Sequence, residues 1–79
     1  MTNEIAFPVI DMEKTGENIK KLRMQHNMSV RQLQEIFGFS SPQSIYKWQW
    51  GDSLPDISNL LLMSSLWGVP VEQILVLRH

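Results

Sequence analysis

The stretch "SVRQLQEIFGFSSPQSIYKWQWG", residues 29–51, decides the fold because it contains two helix starts and two helix stops in close succession. The first start is a capping box, in which the side chains of Ser29 and Gln32 each bond a backbone N–H at the beginning of the helix. Gly38 provides the stop, because glycine readily takes the left-handed conformation that ends a helix. These signals predict a helix over residues 30–37.

A second helix start follows that stop within a few residues. Ser41 can cap the helix, and Pro42 suits its first position because a proline has no N–H to leave unpaired there. The helix is predicted over residues 42–50, with Gly51 as its stop. Two helices joined by a short turn that contains glycine form the helix-turn-helix pattern, in which the second helix can enter the major groove of DNA.

The second helix of this pair has an apolar side and a mixed polar and aromatic side. At about 100° per residue, Ile45 and Trp48 fall together and predict the buried side. The opposite side carries Gln43, Tyr46, Lys47 and Trp50. Trp48 is therefore expected in the core. Trp50 is expected either to be partly covered by the loop after Gly51 or to pack on DNA or on a protein partner.

The same kinds of signal predict three further helices. Asp11 caps a helix that runs to about His26, and Asp56 caps another that ends at Gly68. A last short helix covers about residues 71–76. The residues expected to face the core, outside the second helix of the pair, are Met12, Thr15, Ile19, Leu22, Leu33, Ile36, Phe37, Ile57, Leu60, Leu61 and Met63.

These elements predict an all-α fold, a compact five-helix domain with the helix-turn-helix at helices 2 and 3. A chain of 79 residues has room for a single domain. We expect that domain over residues 11–79, behind an N-terminal arm at residues 1–10. Pro8 in this arm allows an edge strand at best, since proline cannot donate to a ladder.

Basic side chains concentrate in the middle of the chain, although the net charge is −1. Residues 18–50 hold five Lys or Arg against one Glu, whereas residues 1–17 and 51–79 are acidic. This distribution argues against a general polyanion binder and favours a local basic contact.

Several classes of protein are disfavoured. There is no cysteine for a disulfide, and no basic and apolar leader of the signal-peptide type. The longest apolar runs, Leu60–Met63 and Ile74–Leu77, fall far short of the roughly 20 residues that a membrane helix needs. We therefore expect a soluble cytoplasmic protein without a membrane partner.

Catalysis also finds little support in the sequence. His26 and His79 stand near predicted helix ends without a Ser, Cys or Asp partner at a meaningful spacing. No metal-binding motif or glycine-rich phosphate loop is present. We expect a protein that is not an enzyme and that uses no cofactor and no metal.

The outward side of the second helix of the pair carries side chains that can hydrogen-bond to DNA. Gln43 can bond adenine bidentately, Lys47 can reach a guanine edge or a phosphate, and Ser29 with Arg31 flanks amides that can hold a phosphate. On the first helix of the chain, the flanking backbone could be held by Asn18, Lys21 and Arg23. The competing interpretation is that Gln43 and Lys47 are ordinary solvated residues, which is the commoner case for these residue types.

The chain resembles the Cro/repressor-like helix-turn-helix family, also called the XRE family, over roughly residues 15–75. The pieces that carry the resemblance are, in order, "GENIKKLR", "MSVRQLQEIFGF", "SIYKWQWG", "LPDISNLLLMSSLWGV" and "VEQIL". The resemblance implies a lambda-repressor-like domain that binds operator DNA, commonly as a dimer, and represses or regulates transcription.

Three departures from the family pattern affect the DNA contacts. Val30 stands where the family usually has a Gln that helps to anchor DNA, and Gln34 stands where it favours a small Ala. The segment 38–45 is one residue longer than the common form, and we expect the larger side chain and the longer turn to be coupled. Bases therefore cannot be assigned to Gln43 and Ser44 by family position.

The expected partners are double-stranded DNA and a second copy of the chain. The candidate DNA-contacting residues are Gln43, Ser44, Tyr46, Lys47, Trp50, Ser29, Arg31, Asn18 and Lys21. Leu62 and Leu66 predict either a homodimer contact or a surface covered by the arm or by the C-terminal residues. The alternative function is a protein-interaction module on the same fold, such as an antitoxin or an adaptor.

Overall fold

Five helices joined by short turns make up most of residues 9–78, the part of the chain that the computed structural model describes. They are α1 (Met12–Gln25), α2 (Val30–Phe37), α3 (Gln43–Trp50), α4 (Ile57–Trp67) and α5 (Val71–Ile74). Two short strands, β1 (Val9–Ile10) and β2 (Leu77–Arg78), pair antiparallel. The predicted five-helix, all-α class is thus confirmed, with a two-stranded ribbon added where residues 9–10 pair with residues 77–78.

The predicted caps start three of the helices. The Asp11 carboxylate accepts a hydrogen bond from the backbone N–H of Lys14 at 2.9 Å, and Asp56 caps α4 in the same way. At α2 both halves of the capping box form: the Ser29 hydroxyl accepts from the Gln32 N–H at 3.0 Å, and the Gln32 side chain accepts from the Ser29 N–H at 2.8 Å. The predicted bounds of α2 are confirmed residue for residue.

The start of α3 differs from the prediction by one residue. Pro42 lies at the N-cap rather than at the first helical position, and its ψ of 1° departs from helical geometry. No side chain caps α3, so the expected Ser41 cap is wrong. The proline ring offers no acceptor at the capping position. α3 ends as predicted, at a left-handed Gly51 with φ of 79°.

All five helices contribute side chains to the core. Its buried apolar residues are Ile19, Leu33, Ile45, Trp48, Leu60, Met63, Trp67 and Ile74. The rings of Phe37 and Phe39 pack edge-on against Trp48, with centroids 5.5 and 5.7 Å away. The prediction that Ile45 and Trp48 build the core is confirmed.

Three residues predicted to face the core are exposed instead. The exposed fractions are 42% for Ile36, 74% for Ile57 and 59% for Leu61. On α4 the buried stripe runs through Leu60, Met63 and Trp67, so Ile57 and Leu61 lie to one side of it. Trp67, which the sequence analysis did not assign to the core, is buried on this stripe.

α1 crosses α3 at a point where only glycine fits. A Cβ on Gly16 would lie 2.6 Å from the carbonyl oxygen of Gln49 and closer still to that of Trp48. One end of the crossing is fixed by Arg23, which donates to the Gln49 side chain at 2.9 Å and to the Met28 carbonyl at 2.7 Å. α3 is therefore held along its inner side by α1.

The last helix is shorter than predicted, because the residues after it serve other elements. α5 ends at Ile74, and the predicted extension to Val76 is wrong. The Val76 N–H donates to the Thr15 hydroxyl at 2.9 Å, and its carbonyl accepts from the Asp11 N–H at 2.8 Å. Val9 and Ile10 of the predicted arm form the edge strand β1. Residues 1–8 of the arm lie outside the described part of the chain.

The two tryptophans of α3 should respond differently to truncation. Trp48→Ala removes a core side chain that is 5% exposed, and we expect it to lower the free energy of unfolding by about 3–5 kcal/mol. Trp50→Ala, at a position 60% exposed, should change it by less than about 0.5 kcal/mol. Urea unfolding followed by circular dichroism measures both. Equal losses would contradict the assignment of Trp48 alone to the core.

Candidate nucleic-acid interface

The side of α3 that faces away from α1 and the core is open to solvent. Ser44 at the helix start is exposed, and so are the four residues of what we call the outer face of α3: Gln43, Tyr46, Lys47 and Trp50. Gln49, between them in sequence, is turned toward α1 by its bond to Arg23. The outer face thus combines an amide, a phenol, a cation and an indole on one short helix.

Two aromatic rings on the outer face stack on each other. The centroids of Tyr46 and Trp50, one helical turn apart, are separated by 5.7 Å with an angle of 18° between the rings. Tyr46 is 37% exposed and Trp50 is 60% exposed. At this exposure Trp50 is at most partly covered, and both partial cover by the loop after Gly51 and packing on DNA or a partner stay predictions for it.

The start of α2 provides backbone donors beside the outer face. The capping box satisfies the N–H groups of Ser29 and Gln32. Those of Val30 and Arg31, in the first turn, have no intrahelical acceptor and point out of the helix end. The Arg31 side chain is 87% exposed, and its Nε lies 3.6 Å from Oε1 of Glu35. An ion pair this exposed to water contributes little to stability. An anion at this end would meet two N–H groups and one mobile guanidinium.

A groove between α2 and α3 joins these two sets of residues. Its volume is about 450 Å³, and it is lined by Val30, Arg31, Gln34, Glu35, Pro42 and Tyr46. At its base the Gln34 amide donates to the Phe39 carbonyl in the turn at 3.3 Å. This bond supports the expected coupling between the larger side chain at the helix crossing and the longer turn.

Two of the candidate residues lie apart from the others. The Asn18 amide donates both of its hydrogens to α5, to the carbonyls of Gln73 at 2.7 Å and Ile74 at 2.9 Å. The amide hydrogens of Asn18 thus link α1 to α5, and its contact with DNA stays a prediction. Lys21 borders a shallow hollow with Asn18 and Val76, on the side of α1 toward the C-terminal strand.

Arg23 was also predicted to contact the flanking DNA backbone, but its guanidinium bonds the Gln49 side chain and the Met28 carbonyl. Lys20 is a cation that the sequence analysis did not single out. It is exposed on α1 and borders a hollow there together with Lys21 and Met24.

Within residues 9–78, no group of three or more His, Asp or Glu side chains is placed to hold a metal ion. None of the helices in the same range combines the length and the apolar character that a bilayer span requires.

The chain matches a family model over most of its length and is similar in fold to solved structures. Residues 19–74 match the model of the family described as Helix-turn-helix. The structure of the BldD DNA-binding domain from S. venezulae has a TM-score of 0.67 and 20% sequence identity, with 82% of this chain and 96% of that chain covered. A crystal structure of the DNA-binding domain of BldD gives the same TM-score and identity, with 82% and 93% covered. At this identity the likeness concerns the fold. No curated protein matches the chain.

The structural role of Asn18 can be tested by stability. Asn18→Ala removes two hydrogen bonds to α5, and we expect it to lower the free energy of unfolding by about 1–3 kcal/mol. Gln25→Ala, an exposed amide on the same helix, is the control and should cost less than about 0.5 kcal/mol. Denaturant titration measures both variants. A wild-type unfolding energy for Asn18→Ala would contradict the assignment.

Proposed function

We propose that this protein, which belongs to the Cro/repressor-like (XRE) helix-turn-helix family, is a cytoplasmic, sequence-specific DNA-binding regulator of transcription. It acts as a repressor by occupying operator DNA with α3 in the major groove. The observation that carries the proposal is the outer face of α3, exposed and continuous with the backbone donors at the start of α2.

α3 has the size and the side chains for the major groove. Its eight residues span about 12 Å at 1.5 Å per residue, and the groove is itself about 12 Å wide. Gln43 and Ser44 stand at the N-terminal end, the end from which recognition helices contact base edges. Gln43 suits adenine, and Lys47, one turn on, suits guanine or a phosphate.

The start of α2 fixes the domain on the backbone of the duplex. The N–H groups of Val30 and Arg31 face a phosphate, and the Ser29 hydroxyl and the Arg31 guanidinium add side-chain donors. Such contacts set the position of the protein without reading sequence. Because Val30 cannot donate through its side chain, the backbone N–H takes over the anchoring that a Gln gives elsewhere in the family.

The second copy of a homodimer is placed on α4. From Ile57 to Trp67 this helix carries no charged residue, and Ile57, Leu61 and Leu62 are 74, 59 and 36% exposed. In a two-fold contact the same surface meets itself, so a neutral apolar face avoids opposing like charges. Leu66, earlier paired with Leu62 as a contact, packs against the core instead. The two α3 helices would then lie about 34 Å apart, on successive turns of one face of the duplex.

DNA binding can be tested by selecting a site from random duplexes and measuring its affinity across salt by fluorescence anisotropy. If Lys47 contacts a phosphate, Lys47→Ala should reduce the slope of log K against log [salt] by about 1. If it reads a guanine, the variant should keep the slope and lose preference for the selected sequence. Lys14→Ala, at an exposed lysine of α1 that borders a hollow with Asn18 and Val76, should change neither. A Lys47→Ala protein with unaltered slope and preference would contradict the proposal.

The dimer surface makes a separate prediction. Ile57→Glu places a carboxylate on α4, where two copies would oppose each other, and should shift the protein toward monomer by at least tenfold in the dimerisation constant. Met24→Glu changes another exposed apolar residue, on α1, and should leave the constant unchanged. Sedimentation equilibrium measures both. Equal effects of the two variants would contradict an interface on α4.

The protein-interaction module remains the second candidate, favoured by the net charge of −1 and by Val30 at the usual position of an anchoring Gln. In that case the α4 surface would bind another protein, for example a toxin for which this chain is the antitoxin. Selection from random DNA that enriches no sequence, together with a stoichiometric protein partner in a pulldown, would replace the proposed function by this one.

A further inference from the structure

The stacked pair of Tyr46 and Trp50 forms the aromatic surface of the outer face of α3, and apart from the phenol O–H and the indole N–H that surface is apolar. Trp50 is 60% exposed, and its ring lies parallel to that of Tyr46 within 18°. We propose that this pair reads thymine through its C5 methyl group. The inference rests on the proposed function, since it concerns the same helix in the same groove.

The position of the pair fits this role. On α3, Trp50 lies close to Gln43 around the helix axis, opposite the buried Ile45 and Trp48. Tyr46 also lines the groove toward α2. The two residues are separated by a rise of about 6 Å, close to two nucleotide steps of about 3.4 Å each along a strand. The rings can therefore face base pairs about two steps apart while Gln43 occupies the start of the helix.

The chemistry selects one base. Of the four bases, thymine alone presents a methyl group in the major groove, and an apolar side chain is its usual partner. The indole and the phenol offer apolar ring surface that is exposed to water before binding. Because the rings already stack, little side-chain freedom is lost when they meet the groove. Contact between a ring and the methyl group removes apolar surface of both the protein and the thymine from water, which favours binding.

Stacking on an unpaired base fits the geometry less well. A base-stacking platform presents a ring face, and one face of each ring in this pair is turned toward the other ring at a centroid distance of 5.7 Å. Ring edges and outer faces are what remain exposed. In a duplex the methyl groups line the groove at base edges, where such a surface can reach them without unstacking the DNA.

The test uses the full chain and a duplex selected with it from random DNA. Each thymine of the selected site is replaced in turn by 2′-deoxyuridine, which removes the C5 methyl group and keeps the base pairing. We expect one or two replacements in each half-site to weaken binding about fourfold, the fold-change that corresponds to about 0.8 kcal/mol for a buried methyl group. Each of the variants Trp50→Ala and Tyr46→Ala should bind the thymine duplex and the corresponding uracil duplex with equal affinity.

Two controls and three contrary outcomes complete the experiment. Trp50→Phe should keep part of the discrimination, and Met24→Ala, at an exposed apolar residue of α1, should keep all of it. Equal binding of thymine and uracil duplexes by the wild type would overturn the methyl contact and leave the proposed function standing. A loss of dimer in Trp50→Ala, with discrimination unchanged, would assign the pair to a protein contact. Selection that enriches no sequence would overturn the proposed function itself.

Discussion

The close approach of α1 to α3 at Gly16 is the constraint on which the other features depend. The absence of a side chain lets the backbone of α1 rest against the carbonyls of Trp48 and Gln49. This contact fixes the rotation of α3 about its own axis. The rotation that turns Trp48 into the core also turns Trp50 outward, because residues two apart on a helix point in widely different directions. The composition of the outer face is therefore set at the core.

α1 is also the element to which the other parts of the domain attach, and this explains why its polar residues are poor guides to function. Thr15 and Asn18 bond the backbone around α5, and Arg23 bonds α3 and the turn before α2. A polar side chain on a helix looks the same in sequence whether it bonds a distant backbone carbonyl or a ligand. Asn18 and Arg23 were therefore predicted as DNA contacts and serve as structural links.

Most features that depend on adjacent residues could be predicted from the sequence, the cap of α3 being an exception, whereas several features that depend on distant residues could not. The capping box at Ser29 and the glycine stop at Gly51 involve neighbours in the chain, so the signals that place α2 and end α3 are local. The burial of Ile57 depends on which side of α4 the core occupies, and a helix apolar on most sides does not specify that. The strand at residues 77–78 depends on pairing with residues far away in the chain. For the candidate site, residue types and helix face were predictable, but the stacking of two rings was not.

The charge of the domain bears on how such a site could be specific. The proposed interface brings few cations to the duplex, chiefly Arg31 and Lys47, so counterion release would give each subunit only a small part of its affinity. Affinity that does not come from phosphate contacts has to come from base edges, apolar contacts and the pairing of two subunits. These terms depend on sequence and geometry far more than phosphate contacts do. The exposed aromatic pair on α3 and the uncharged face of α4 thus fit a protein that gains little affinity from charge. The aromatic pair would contact only certain bases, and the α4 face would contact only a second subunit. Both contacts would therefore add affinity that is specific, where phosphate contacts add affinity for any duplex.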